Sequence, residues 1–262
     1  MTLDGSDLAF VIPLWRRTTN IERVTDAIRL STPAATIVFV VSDLDGGPMC
    51  AVAELCAHDM MERMETGEHG HAGWIYPVVI PGEGGERGDY ARKINAGYRA
   101  TDAPYIFTGA DDIIPHYGWY DAARALMVDR VGVVGTVDQN NGRTTNGTHS
   151  THSLVARWYA DEGACADQTN VIYHEGYWHE YCDDELVRTA MQRNAYAHAF
   201  DAIVEHRHWH GDKTRDDPTY RHGRAHTGLS RRLFMQRRVL WGEMPRGGMP
   251  RQRAPRVVRR SR

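Results

Sequence analysis

A chain of 262 residues with 42% hydrophobic and 25% charged residues can bury one good core, so one α/β domain with extensions is expected rather than two domains. No apolar run nears the roughly 20 residues of a membrane span, and the first residues are acidic where a secretory signal would be basic, so the cytosol is the expected compartment. Cys50, Cys56, Cys165 and Cys182 contain no C-x-x-C pair, which argues against a disulfide framework or a thiolate zinc site.

The net charge of −3 hides an asymmetry. From Arg231 onward there are eleven Arg against the single acid Glu243, leaving 20 Lys+Arg and 33 Asp+Glu in the first 230 residues. A body, 1–230, and an Arg-rich tail, 231–262, are therefore expected. The tail should be disordered beyond about residue 242 and able to bind nucleic acid, acidic lipid or the protein's own acidic face.

Leu8–Ile12 is a short apolar run ending at Pro13 and reads as a buried strand; Thr18–Glu22 offers helix capping, and Ile21, Val24, Ile28 and Leu30 give a helical stripe. Thr36–Val41 is the clearest strand, and Ala51–Met64 should be helical. Trp74–Ile80 reads as a strand whose Pro77 suits an edge. A Gly-rich loop, Pro81–Gly88, then leads to a helix over Asp89–Ala100, and Tyr105–Thr108 and Val131–Val134 are further strands. This alternation predicts βαβ units and an α/β fold with a mainly parallel sheet flanked by helices.

Ligands of such sheets bind at the carboxyl ends of the strands, where Pro13–Arg16, Ser42–Asp43 and Asp111–Asp112 fall. The run Tyr105-Ile-Phe-Thr-Gly-Ala-Asp-Asp ends in paired carboxylates, which suit hard cations such as Mg²⁺ or Mn²⁺ and hence a phosphate-bearing substrate; capping of the helix expected after Gly118 is the alternative. Gly82, Gly84 and Gly88 miss the G-x-G-x-x-G spacing and no P-loop occurs, which argues against a dehydrogenase or P-loop enzyme.

The ordered set Ile12-Pro13, Asp43, Gly88–Gly97, Asp111-Asp112 and Cys182-Asp-Asp-Glu-Leu186 resembles the GT-A-fold glycosyltransferases, specifically the large inverting family (family 2) built on a nucleotide-diphospho-sugar site. The resemblance covers about residues 8 to 212. It implies that Pro13, Trp15 and Arg16 line the nucleotide pocket, that Asp43 accepts a hydrogen bond from the base, and that Lys93 and Asn95 help bind nucleotide and diphosphate. It implies Asp112 as the principal ligand of Mn²⁺ or Mg²⁺, Asp111 as a partner of ribose or cation, and His206 as a further metal or phosphate ligand, with His208 as an alternate. Asp183 takes the place of the general base, with Asp184 beside it as the alternative. Capping of the following helix is the plain reading of both.

The family usually carries Asp-x-Asp where this chain has Ala110-Asp-Asp, and Cys182 stands where the family has Glu. His149, His152, His174 and His179, with Asn140, Arg143 and Trp178, lie in the polar stretch that shapes the sugar and acceptor sites in the family. Gln236–Trp241 only approximates the Gln-x-x-Arg-Trp motif of processive synthases. A single transfer to a soluble or macromolecular acceptor is thus implied. The chain is similar to glycosyltransferases encoded by bacteriophages, which modify hydroxylated DNA bases or virion proteins; the Arg-rich tail favours DNA, with a virion protein or surface carbohydrate as alternatives. The rival of another class is a catalytically silent nucleotide- or nucleic-acid-binding module on the same fold.

Overall fold

The computed structural model describes residues 3–66, 73–207 and 218–242. Its centre is an eight-stranded sheet made of β1 (Leu8–Pro13), β2 (Thr36–Ser42), β3 (Ile75–Ile80), β4 (Tyr105–Thr108), β5 (Ile113–Pro115), β6 (Val133–Val137), β7 (Ser153–Ala156) and β8 (Tyr196–His206), in the order β3-β2-β1-β4-β7-β6-β8-β5. Helices α1 (Ile21–Ser31), α2 (Gly46–Thr66), α3 (Asp89–Arg99), α4 (Trp119–Arg124), α5 (Gly142–Thr145), α6 (Arg157–Gly163), α7 (Cys182–Gln192) and α8 (Pro218–Arg237) follow in chain order among the strands, and α8 runs into a 3₁₀ turn, Arg238–Trp241.

β1, β2 and β4 are continuous apolar runs because helices cover both faces of the sheet at its centre, and the side chains from Leu8 to Ile12 are wholly buried. Pro77 lies on the edge strand β3, where a missing N–H breaks no second ladder. Leu30, expected in the α1 stripe, is instead 81% exposed, since the buried face of α1 is Ile21, Val24, Thr25, Ile28 and Ser31.

The sheet differs from the mainly parallel arrangement expected. β1 pairs in parallel with β2 and β4, β2 with β3, and β6 with β8, but β7 runs antiparallel to both β4 and β6, and β5 antiparallel to β8. This reversal builds the site. Because β7 runs backwards, the chain entering it at His149–His152 arrives at the sheet edge where β1, β4, β6 and β8 end. Residues from five strands converge there on one edge.

The border expected between 230 and 231 falls inside α8. Ser230 and Arg237 are buried, Phe234 packs on the buried Trp241 with ring centroids 5.4 Å apart, and Arg237 pairs with Glu185 of α7 and with Asp167. The remainder of the Arg-rich tail, 243–262, lies outside the described residues, as does His208. No helix among the described residues is long and apolar enough to cross a membrane.

Candidate functional site

The strand ends open onto one cavity of about 610 Å³, within the range of small-molecule sites. Pro13 and Trp15 line it, as do Lys93, Asp111, Asp112, Asp183, Asp184, Trp178, His179 and His206. Three expected residues do not. Arg16 turns away and lies over the Trp15 ring at 4.6 Å, with Arg17 entering the cavity in its place. Asp43 is exposed and accepts from the Gly82 N–H at 2.9 Å, holding the Gly-rich loop. Asn95 is fully buried in α3: its amide donates to Tyr173 O and Glu175, and its Oδ1 accepts from Ile172 N and Tyr173 N, so it pins the 172–175 segment. Lys93 is also fully buried, donating to Leu14 O at 2.6 Å and Asp89 Oδ2 at 2.9 Å; this bridge ties the end of β1 to α3, and burial pulls its ammonium pKa down against the pull of Asp89.

The Gly-rich loop has a packing role. A Cβ at Gly85 would stand 2.3 Å from the Trp15 ring, and Gly84 and Gly85 both have positive φ, so only glycine admits the indole at this distance. Across that ring lies His222 of α8, 4.9 Å between centroids, whose Nε2 is 2.6 Å from Gly85 O. α8 thus roofs the cavity, and Trp178 stacks flat on its His226, 3.8 Å between centroids and 8° between planes.

One wall of the cavity carries the acid pair. Asp111 and Asp112 sit in the turn between β4 and β5, away from the N-cap of α4, which is Gly118. Asp112 is 3% exposed; its Oδ1 lies 3.1 Å from His206 Nε2, while its Oδ2 accepts from Tyr220 Oη at 2.7 Å and Arg17 Nη1 at 3.3 Å. Asp111 accepts from Arg17 at 3.2 Å and from Asn20 Nδ2 at 3.0 Å. Burial and the adjacent Asp112 push Asp111 up to about 6. Burial also opposes ionisation of Asp112, but His206, Tyr220 and Arg17 outweigh it and hold Asp112 well below the usual carboxylate range. His206 is raised, because Asp112 outweighs its desolvation.

The cavity is also lined by Asp183 and Asp184, in the first turn of α7. The N-cap is Tyr181, at φ 75°, so neither Asp caps the helix, although their charge suits its N-terminus. His149, missed as a specific partner, lies between them: Nε2 is 3.2 Å from Asp183 Oδ2 and Nδ1 is 3.6 Å from Asp184 Oδ1. Arg143 binds Asp184. Burial works to raise Asp183, but His149 and Arg143 prevail and keep its carboxyl below the usual range. Two histidines lie near both acid groups: His152 and His179 both feel Asp112 and Asp183, which favour their cationic forms against burial. Burial and the neighbouring His206 still leave His152 at about 4, and its buried Nε2 has no hydrogen-bond partner among the described residues.

Two groups could hold a divalent cation. His149, Asp183 and Asp184 offer ligand atoms within 4.8 Å of one another, and among the described residues no other group of three does so. Asp112 Oδ1 and His206 Nε2, at 3.1 Å, have the separation of adjacent ligands on an octahedral ion bound at about 2.1 Å. Arg17 and Tyr220 occupy the other oxygen of Asp112, so an ion there gains two protein ligands and takes the remainder from water or substrate.

No protein-family model matches the chain, and no curated protein matches it in sequence. Among solved structures it is similar to a mycobacterial protein at 12% identity and a TM-score of 0.50, over 93% of this chain and 79% of that one. It also matches the catalytic domain of a Drosophila beta1,4-galactosyltransferase 7, solved with xylobiose, at 15% identity and a TM-score of 0.43, over 84% of this chain and 79% of that one. The likeness to the mycobacterial protein is one of fold.

Proposed function

We propose that the protein is an inverting glycosyltransferase of the GT-A type that moves a sugar from a nucleotide-diphospho-sugar to a hydroxyl acceptor. One observation carries this reading: a single cavity at the strand ends is lined both by the acid pair Asp111–Asp112 and by Asp183, whose carboxyl is held below the usual range. Inverting displacement needs a carboxylate besides those at the leaving group, because the base must take the acceptor's proton on the face opposite the leaving group. Trp15 and Pro13 would flank the nucleotide, and Trp178 and His179 the sugar or acceptor. Asp112 and His206 would hold Mn²⁺ or Mg²⁺, which when bound supplies Lewis-acid stabilisation of the departing diphosphate.

Calorimetry of UDP and GDP tests the donor side. Binding of at least one is expected with Mn²⁺ and not in chelator, and equal affinity in chelator would remove Asp112 from its role. The ligand spacing of His149, Asp183 and Asp184 favours a second reading, with the cation at that group. Mn²⁺ titration of His206→Ala and His149→Ala separates the two. Loss of the cation in the first variant supports the proposal, and loss in the second moves the ion to the α7 wall.

The acceptor reading is a hydroxylated DNA base, with a virion protein or carbohydrate as the alternative. It rests on the Arg-rich residues alone, and a shortened chain tests it. Because Trp241 is buried, the cut belongs after Gly242. That chain is expected to hydrolyse donor at the unaltered rate and to bind duplex DNA more weakly. The affinity of the full chain should fall steeply with salt as phosphate contacts release counterions. A salt-insensitive, tail-independent affinity would favour the other acceptors.

A further inference from the structure

The positive charge that faces the acid pair belongs to the protein itself. Arg17 Nη1 reaches both carboxylates, at 3.2 Å from Asp111 and 3.3 Å from Asp112, and its guanidinium lies 4.0 Å from the centroid of the Tyr220 ring. The three charged side chains are almost buried, at 12%, 10% and 5% exposure, so this is no surface pair. Tyr220 in turn donates to Asp112, and Asn20 to Asp111. With His206 on the remaining oxygen, all four carboxylate oxygens have protein partners.

The backbone is arranged to aim this side chain. Arg17 N–H donates to Trp15 O at 2.8 Å across Arg16, whose φ is 64°. A three-residue turn with its central residue at positive φ is the rare, strained form, and a non-glycine residue there costs energy. The Arg16 N–H is held by Asp45 Oδ2 at 2.8 Å. This turn sends Arg16 outward over Trp15 and Arg17 into the cavity.

Adjacent buried carboxylates need a compensating cation, and a donor diphosphate would bring further negative charge to the same place. A divalent ion on Asp112 Oδ1 would stand beside Arg17 on Oδ2, and two cations drawing on one carboxylate repel each other, so each weakens the other's hold. A displaced guanidinium beside the entering diphosphate matches its oxygens in a fork, as an ammonium does not.

Building on the donor site proposed above, we propose that Arg17 is the exchangeable counter-cation of that site. It holds Asp111 and Asp112 while the site is empty, yields the carboxylates to a divalent cation, and then pairs with the donor's diphosphate.

The test reads two affinities that should move in opposite directions in Arg17→Gln. Mn²⁺ alone, followed by calorimetry, should bind roughly tenfold tighter because its competitor is gone. UDP or GDP in saturating Mn²⁺ should bind roughly tenfold weaker because a charge-assisted bond is lost. Uridine or guanosine, which lacks phosphate, should bind as before. Arg17→Lys, keeping the charge without the fork, should shift both affinities in the same senses by less. With nucleoside binding intact, unchanged or weaker Mn²⁺ binding, or unchanged nucleoside diphosphate binding, overturns the proposal. Weakening of all ligands together marks a folding defect in Arg17→Gln, and Arg17→Lys then decides by the same opposed pair of shifts. An unaltered protein that binds no nucleoside diphosphate would sink the donor reading itself, whereas binding that Arg17→Gln leaves untouched sinks only the role of Arg17.

Discussion

Asp183→Asn is expected to lower sugar transfer by roughly 10²-fold or more, the usual range for losing a general base, while leaving nucleoside diphosphate binding nearly intact. The amide keeps the shape of the side chain and removes its capacity to accept a proton. The acid pair that would face the diphosphate belongs to the β4–β5 turn and not to α7, so donor affinity should not follow. Asp184→Asn should be milder, because the Asp184 carboxylate is already committed to Arg143. The pH dependence has a definite sign. His149 and Arg143 hold Asp183 below the usual carboxylate range, so its basic form persists through neutral pH and is lost only as pH falls through that lowered value. Transfer limited by Asp183 should therefore be flat from neutrality down to the ordinary carboxylate range and fall below it. Rates with a turned-over nucleotide sugar in the two variants decide the assignment. A larger loss in Asp184→Asn would move the base by one residue.

Arg237→Ala is expected to destabilise the fold by about 3–5 kcal/mol, the cost of leaving one member of a buried ion pair without its partner. Arg237 Nε and Nη2 donate to the two oxygens of Glu185 at 2.8 and 2.7 Å, and Nη1 and Nη2 to Asp167 at 2.9 and 2.7 Å. Glu185 is 1% exposed and, among the described residues, keeps only Tyr177 Oη, at 2.6 Å, once the guanidinium is removed. Arg237→Met combined with Glu185→Gln should recover much of the loss, since apolar or neutral replacement of both members removes the uncompensated charge. Denaturant unfolding reads both. A loss under about 1 kcal/mol, as for a surface pair, would mean that α8 is only loosely held and would restore a border near residue 231. The pair also bears on the site, because it anchors the far end of the helix that brings Tyr220 and His222 over the cavity.

Much of the sheet could be read in the chain. β1, β2 and β4 are runs of apolar residues that no amphipathic pattern interrupts, and such runs declare strands buried on both faces. β5 was missed because three residues are too short to show a period, and β7 because its four residues continue a long polar stretch and form no apolar run that stands out. That omission also hid the antiparallel direction of β7. The acid pair was legible because it ends a strand. Asn95 and Asp43, expected at the nucleotide, hold the 172–175 segment and the Gly82 turn, contacts that rest on which backbone groups lie opposite them.

By itself the sequence determined an α/β chain whose strand ends carry carboxylates and whose basic charge gathers at one terminus, because burial periodicity and charge are local properties. Only the tertiary structure decided that Arg17 rather than Arg16 enters the cavity. Only it joined His149 to Asp183, Arg17 to Asp112, and Arg237 to Glu185, pairs separated by 34, 95 and 52 residues. The physical reason is that a reversed strand sets the first of these meetings, a strained turn the second and the docking of α8 on α7 the third, and each depends on contacts between distant segments that no local pattern encodes.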